Sequence, residues 1–130
     1  MISLTNNNES WSSLIEAVLE KVRNGISQGT WHYKYGLETN DEISQSYYYG
    51  EAINGSYSVN FGFDLCAFSL YYYYIIVKND EEVLINIAAN PPSNVDSLKA
   101  LLNEYWIALK DSCEQAKALL ALDIVNQLPN

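Results

Sequence analysis

The stretch that decides the fold of this chain is Phe68–Val77, which reads Phe-Ser-Leu-Tyr-Tyr-Tyr-Tyr-Ile-Ile-Val. Almost all of its residues are β-branched or aromatic, and Ser69 is the only small polar one. Such a run predicts a β-strand with neither face in water. It is too short to cross a bilayer as a helix, which takes ~20 apolar residues. We therefore expect a strand in the middle of a sheet.

The composition indicates one folded domain with an acidic surface. The chain has 130 residues, which fits a single domain over residues 1–130. Its 16 Asp and Glu against 7 Lys and Arg leave a net charge of −9. This negative field disfavours nucleic acid and anionic membranes as partners and favours a basic protein.

A first helix is predicted by apolar residues at the spacing of one helix face. They are Trp11, Leu14, Ile15, Val18, Leu19 and Val22. Asn24-Gly25 is predicted to end this helix, because glycine readily takes the left-handed conformation of a helix C-terminus.

Two strands and a hairpin follow. The segment Thr30–Glu38 alternates apolar and polar residues, and Ile43–Ile53 forms the next strand. Asn54-Gly55 then predicts a two-residue turn that pairs Ile53 with Ser56. In this register the strand from Tyr57 shares its apolar face with Tyr48, Gly50 and Ala52, because paired residues lie on the same face. Tyr47, Tyr49 and Glu51 point outward.

The rest of the chain completes an α+β fold. A turn at Asn79-Asp80 predicts that Ile76 faces Val83, which places Tyr71 and Tyr73 on the sheet face away from the helices. After Pro91-Pro92, apolar spacing predicts a long helix that reaches towards Ile124. We expect an N-terminal helix, a five-stranded antiparallel meander and a long C-terminal helix, with both helices on one face of the sheet.

No residue pattern predicts catalysis, a metal site or a cofactor. His32 is the only histidine and has no partner that would orient it for acid–base work. Cys66 and Cys113 lack metal-ligand spacing and are expected to be free thiols. The acidic turns lack the ligand spacing of an EF-hand. We expect a chain that is not an enzyme and binds no cofactor.

The residues predicted to contact a partner are two outward tyrosines and the acids around them. Aromatic anchors inside a polar rim are typical of protein interfaces. The predicted set is Tyr47, Tyr49, Glu51, Asp41, Glu42, Asp80, Glu81 and Glu82. The alternative is that these tyrosines pack under the N-terminal segment or a second subunit. A stacking platform for single-stranded nucleic acid is disfavoured because that mode needs a basic groove.

In composition and layout the chain resembles the bacterial immunity proteins of contact-dependent growth inhibition and related toxin systems. It shares with them a short, acidic α+β chain that is rich in Tyr, Asn and Ile and lacks catalytic residues. The resemblance implies a cytoplasmic inhibitor that masks a cognate toxin, such as a basic nuclease domain. It rests on no diagnostic motif and assigns no functional residue.

Two other classes stay open at this point. The layout is also similar to type III secretion chaperones, which dimerise, but that family has a helix where this chain has room only for a turn between Phe63 and Phe68. A cup for a small ligand, lined by Tyr71 and Tyr73, is the third class. The N-terminus has no apolar run after a basic region, so we expect no signal peptide. Both a monomer and a homodimer are compatible with the sequence.

Overall fold

The part of the chain that the structure describes forms a six-stranded sheet and two helices. The computed structural model describes residues 2–4, 10–42, 45–66, 73–89 and 96–129. In chain order the elements are β1 Ile2–Leu4, α1 Ser10–Gln28, β2 His32–Asn40, β3 Gln45–Asn54, β4 Tyr57–Cys66, β5 Tyr73–Asn79, β6 Glu82–Ala89 and α2 Asp96–Gln127.

The strand order across the sheet is β1-β6-β5-β4-β3-β2. The predicted five-stranded antiparallel meander is confirmed as β2 to β6. β5 lies in the interior of the sheet as expected, although Phe68–Tyr72 fall outside the described residues. One strand was not predicted: β1 adds to β6 in parallel, with Ile2 opposite Ile85.

Both helices pack on the same face of the sheet and share one hydrophobic core with it, as predicted. The helices contribute apolar side chains from one face each, and the strands contribute every second residue. The buried core residues are Ile15, Leu19, Val22, Ile26, Tyr33, Ala52, Val59, Phe61, Phe63, Tyr73, Ile75, Ile87, Leu102, Tyr105, Trp106 and Leu109.

The first helix ends later than predicted. α1 runs through Gly25 and stops before Gly29, which has the positive φ of 78°. The Thr30 N–H donates to the Gly25 carbonyl at 2.8 Å, and the Gly29 N–H donates to the Ile26 carbonyl at 3.2 Å. These two bonds form the Schellman motif. Gly25 is required for packing rather than for ending the helix, because a Cβ there would overlap the indole ring of Trp31.

The hairpin between β3 and β4 has its loop one residue later than predicted. Asn54 stays in the strand and pairs with Tyr57, so the loop is Gly55-Ser56. Gly55 alone has positive φ (59°), as in a type II′ turn. Each β3 residue therefore pairs two residues further along β4 than expected. Because two is an even number, the predicted faces of β3 and β4 are retained.

The prediction for β5 and β6 placed Tyr73 on the wrong face. Ile76 pairs with Asn86 rather than Val83, a shift of three residues. Two of the three come from a loop at Asp80-Glu81, and the third comes from a bulge between Val77 and Lys78. Because three is an odd number, each residue of β6 beyond the bulge pairs with a β5 residue from the opposite face to the one predicted. Tyr73 is therefore buried in the core under the helices, and Tyr71 lies outside the described residues.

Two residues expected on the dry face are exposed. Leu37 is 47% exposed on the edge strand β2, and Tyr57 is 48% exposed at the start of β4. Both lie at the margin of the sheet, where the helix layer no longer covers it.

Tyrosine hydroxyls connect the helices to each other and to the sheet. Tyr35 on β2 donates to the Glu114 carboxylate on α2 at 2.5 Å, and Tyr105 on α2 donates to Glu20 on α1 at 2.8 Å. The bond to the Glu114 carboxylate, helped by burial, raises the pKa of Tyr35 to about 12. The same bond lowers the pKa of Glu114.

We predict that Gly25→Ala destabilises the protein by about 1–3 kcal/mol, because the added methyl group displaces the Trp31 ring. Alanine in a helix interior normally stabilises by about 0.5–1 kcal/mol relative to glycine, so the sign of the effect is diagnostic. Urea denaturation measures it. The control is Asn24→Ala, at an exposed neighbouring position in α1, which should be neutral or slightly stabilising. A stabilised Gly25→Ala variant would contradict the close contact.

We also predict a specific alkaline sensitivity. Because folding raises the pKa of Tyr35 from 10.0 to about 12, its contribution to stability is complete below pH 10 and is lost as the pH rises towards 12. Tyr35→Phe should therefore flatten the decline of the unfolding free energy over this window, measured by urea denaturation at several pH values. The pKa of Glu114 is lowered rather than raised, so the contribution of Glu114 to stability is lost as the pH falls. Equal alkaline slopes in the two proteins would refute the Tyr35–Glu114 coupling.

Candidate functional site

The candidate site is the face of the sheet opposite the helices, called here the open face. Side chains alternate along a strand, and in β3 the helix side takes Tyr48, Gly50 and Ala52. The same alternation directs Tyr47, Tyr49 and Glu51 to the open face, as the sequence predicted.

A row of glycines and tyrosines crosses the open face from strand to strand. Gly36 of β2 pairs with Tyr49 of β3, which pairs with Gly62 of β4, which pairs with Tyr74 of β5. A Cβ at Gly36 would overlap the Tyr49 ring, and a Cβ at Gly62 would lie 2.6 Å from the Tyr74 ring. The tyrosines thus lie across the glycines, which is the arrangement that compensates for missing side chains in a strand.

Tyr47 joins this row through two contacts. Its ring stacks on that of Tyr49, with centroids 5.7 Å apart and planes 27° apart. Its hydroxyl forms a 2.8 Å hydrogen bond with the hydroxyl of Tyr74. The three tyrosines, Tyr47, Tyr49 and Tyr74, form one connected group, which we call the tyrosine group.

The tyrosine group lines a shallow groove made of two adjoining depressions. One has a volume of about 400 Å³ and the other of about 450 Å³, and they share Glu51, Asn60 and Tyr74. The lining side chains beyond the tyrosine group are Lys34, Glu38, Glu51, Asn60, Ile76 and Lys78. Among the residues that the structure describes, none closes over either depression, so the groove offers a broad surface rather than an enclosed cavity.

The charges on the groove are balanced. Lys34 and Glu51 face each other in register on β2 and β3, and Glu38 and Lys78 lie further out. Asp64, which lies close by in sequence, adds no exposed negative charge, because it is buried and its carboxylate lies 3.5 Å from the ammonium group of Lys99. The groove is thus more neutral than the sequence suggested.

The acidic residues of the predicted site frame the open face at its two ends. Asp41-Glu42 is the exposed turn after β2. The exposed segment Asp80–Glu82 lies at the other end, where the Asp80 N–H donates to the Ser56 carbonyl at 2.8 Å. The ten residues of β3 separate the two ends by roughly 30 Å. The structure therefore brings Tyr47, Tyr49 and Glu51 together in one groove, which none of the five turn acids lines.

Sequence reasoning missed several residues of this groove. Tyr74 was assigned to the opposite face because the bulge between β5 and β6 could not be anticipated, and Lys34 and Lys78 were not considered. The signal that could have found the groove is glycine inside a predicted strand, since it often marks a close approach. Gly36 and Gly62 are such residues.

We predict an energetic coupling between Gly36 and Tyr49. Gly36→Ala should destabilise the protein while Tyr49 is present, because the methyl group displaces its ring. In a Tyr49→Ala background the same change should become neutral or stabilising. A double-mutant cycle by urea denaturation should give a coupling of about 0.5–3 kcal/mol. Additive effects would show that the ring does not rest on the glycine.

The described residues show neither a metal-binding cluster nor a helix that could span a membrane. Over residues 2–4, 10–42, 45–66, 73–89 and 96–129, no group of three or more His, Cys, Asp or Glu side chains is placed to hold a metal ion. Neither α1 nor α2, as far as each is described, is long and apolar enough to span a membrane. No family model, curated protein or solved structure matches the chain.

Proposed function

We propose that this chain is a stoichiometric inhibitor of the immunity-protein type, which binds a cognate toxin domain through the open face and masks its surface. The observation that carries the proposal is the tyrosine group, laid across Gly36 and Gly62 on the open face. Tyrosine offers a large contact area with few rotatable bonds and a polar tip, so it is favoured in protein interfaces.

The shape of the open face favours a partner of protein size. The groove is broad and open, whereas small-molecule sites are concave and enclose most of their ligand. A partner that covered the face would span the roughly 30 Å between the two acidic ends. A typical stable interface buries about 800 Å² on each partner, which such a face can supply.

The charge distribution favours a partner with a basic periphery. The centre of the face is near neutral, while Asp41-Glu42 and Asp80–Glu82 place acids at its two ends. Together with the net charge of −9, these acids would attract a basic surface and orient it before contact. Such steering raises association rates, with a ceiling of ~10⁹ M⁻¹s⁻¹ at low salt. A basic nuclease-type toxin domain has this character. As a cytoplasmic inhibitor, the chain would need no cofactor.

A second candidate is an escort chaperone that binds an extended segment of a secreted protein. The edge position of β2 favours it, because β2 pairs only with β3 among the described strands. An extended peptide can add to such an edge as a further strand. The two candidates use different surfaces, so substitutions on the tyrosine group and on β2 distinguish them.

We predict that Tyr49→Ala combined with Glu51→Lys weakens partner binding by more than about 2 kcal/mol, or about 30-fold in Kd. The fold should be retained, because the bond between α2 and β3 uses the Tyr49 carbonyl rather than its side chain. The partner is first isolated from the native cell with the wild-type chain and identified. Its affinity for each variant is then measured by calorimetry and its association rate at rising salt.

The matched control is Tyr57→Ala combined with Glu104→Lys, which makes the same chemical changes at exposed positions outside the groove. It should leave the affinity unchanged. Equal losses in both variants would refute binding through the open face, and an association rate that does not depend on salt would refute steering by the acids at its ends. A toxin encoded by the adjacent gene and captured in a one-to-one complex would support the inhibitor; an unfolded secretion segment bound along β2 would support the chaperone.

A further inference from the structure

After Cys113, α2 leaves the hydrophobic core and continues for fourteen more residues. α2 has 32 residues, and its buried residues end at Leu109, with Cys113 still packed against the core. From Glu114 to Leu128, here called the α2 arm, nearly every residue is exposed. This segment is about 22 Å long at 1.5 Å per residue.

The α2 arm is apolar to a degree that exposed helices do not normally show. Six large apolar side chains are between 55% and 68% exposed, namely Leu119, Leu120, Leu122, Ile124, Val125 and Leu128. Asp123 is the only charged residue from Ala118 to Leu128. A helix that is apolar around its circumference is normally buried, and an exposed patch of this kind marks an interaction surface.

We propose that the α2 arm is a self-association surface that packs against the α2 arm of a second copy of this chain. The available area is sufficient for this. Burying a leucine-sized side chain removes roughly 80 Å² of apolar surface from water. Six such side chains on each copy give at most ~1,000 Å² per pair, which is the lower limit for a specific interface and corresponds to a weak dimer.

The distribution of charge favours a second copy of the chain, rather than another molecule, as the partner of the α2 arm. Two chains of net charge −9 repel each other over most of their surface. The α2 arm carries only Glu114, Lys117 and Asp123, for a net charge of −1, and the Lys117 ammonium lies 3.8 Å from the Glu114 carboxylate. Like-charge repulsion between copies is therefore weak here. An antiparallel two-fold pairing of the arms would also place the two acidic domains at opposite ends.

The same charges argue against the other occupants. A basic partner would gain little from an arm with so few acids. Helices that bind membrane surfaces are rich in Lys and Arg on their polar face, and the α2 arm has only Lys117. The open face lies on a different part of the molecule, so this inference does not depend on the proposed inhibitor function.

Light scattering coupled to size exclusion tests the proposal on the full chain, from micromolar to near-millimolar protein. The wild-type chain should approach twice its chain mass of 14.7 kDa as concentration rises. Leu122→Glu combined with Val125→Glu should raise the dimer Kd by about a hundredfold or more, because the added charges would be buried against apolar side chains. Circular dichroism and urea denaturation check that this variant remains folded, as expected for residues outside the core.

The matched control is Leu37→Glu combined with Ile107→Glu, which adds the same two charges at exposed apolar positions outside the α2 arm. This control should dimerise like the wild-type chain. A wild-type chain that stays monomeric at every concentration would overturn the proposal, and so would a dimer that survives the arm substitutions. A monomer that binds phosphatidylcholine vesicles through the arm would assign the surface to membrane instead.

Discussion

The packing of Trp106 against β3 is the interaction on which the rest of the structure depends. Its indole N–H donates to the Tyr49 carbonyl at 3.0 Å, and its ring meets the ring of Tyr48 edge-on at 5.0 Å. These contacts fix α2 on one side of β3. Since side chains alternate along a strand, holding Tyr48 against α2 leaves the side chains of Tyr47 and Tyr49 on the opposite face. The position of α2 on β3 therefore determines both which side chains enter the core and which side chains form the candidate site.

Glycine lets the sheet carry aromatic rings on both faces. On the helix side, a Cβ at Gly50 would lie 2.6 Å from the Tyr33 hydroxyl and 2.7 Å from the Phe61 ring. On the open face Gly62 gives the same room to Tyr74. Rings that lie flat on the sheet have already lost most of their rotamer freedom. Binding of a partner over these rings therefore costs less conformational entropy than binding over mobile side chains would.

Much of the fold could be predicted from the sequence, and the candidate site only in part. The spacing of Ile15, Leu19 and Val22 correctly predicted one face of α1, and the alternation in β3 correctly placed Tyr47 and Tyr49. Tyr73 was misplaced, because a single bulge exchanges the face of every later pair and leaves no mark in hydrophobic periodicity. β1 was missed, because three residues are too few to show alternation and their partner lies far along the chain.

The sequence alone determined the order of the two helices and of β2 to β6, the acidic charge and the apolar faces of α1 and β3, since these depend on residue type and local spacing. The tertiary structure decided which tyrosines meet, because the row from Gly36 to Tyr74 depends on register across four strands. It also decided where α2 leaves the core. The apolar spacing of Leu102 and Leu109 continues through Leu120 and Ile124, but the sheet beneath α2 ends first. Hydrophobic periodicity in the sequence indicates which side chains favour burial. Only the packing of the helices on the sheet determines whether another element covers them.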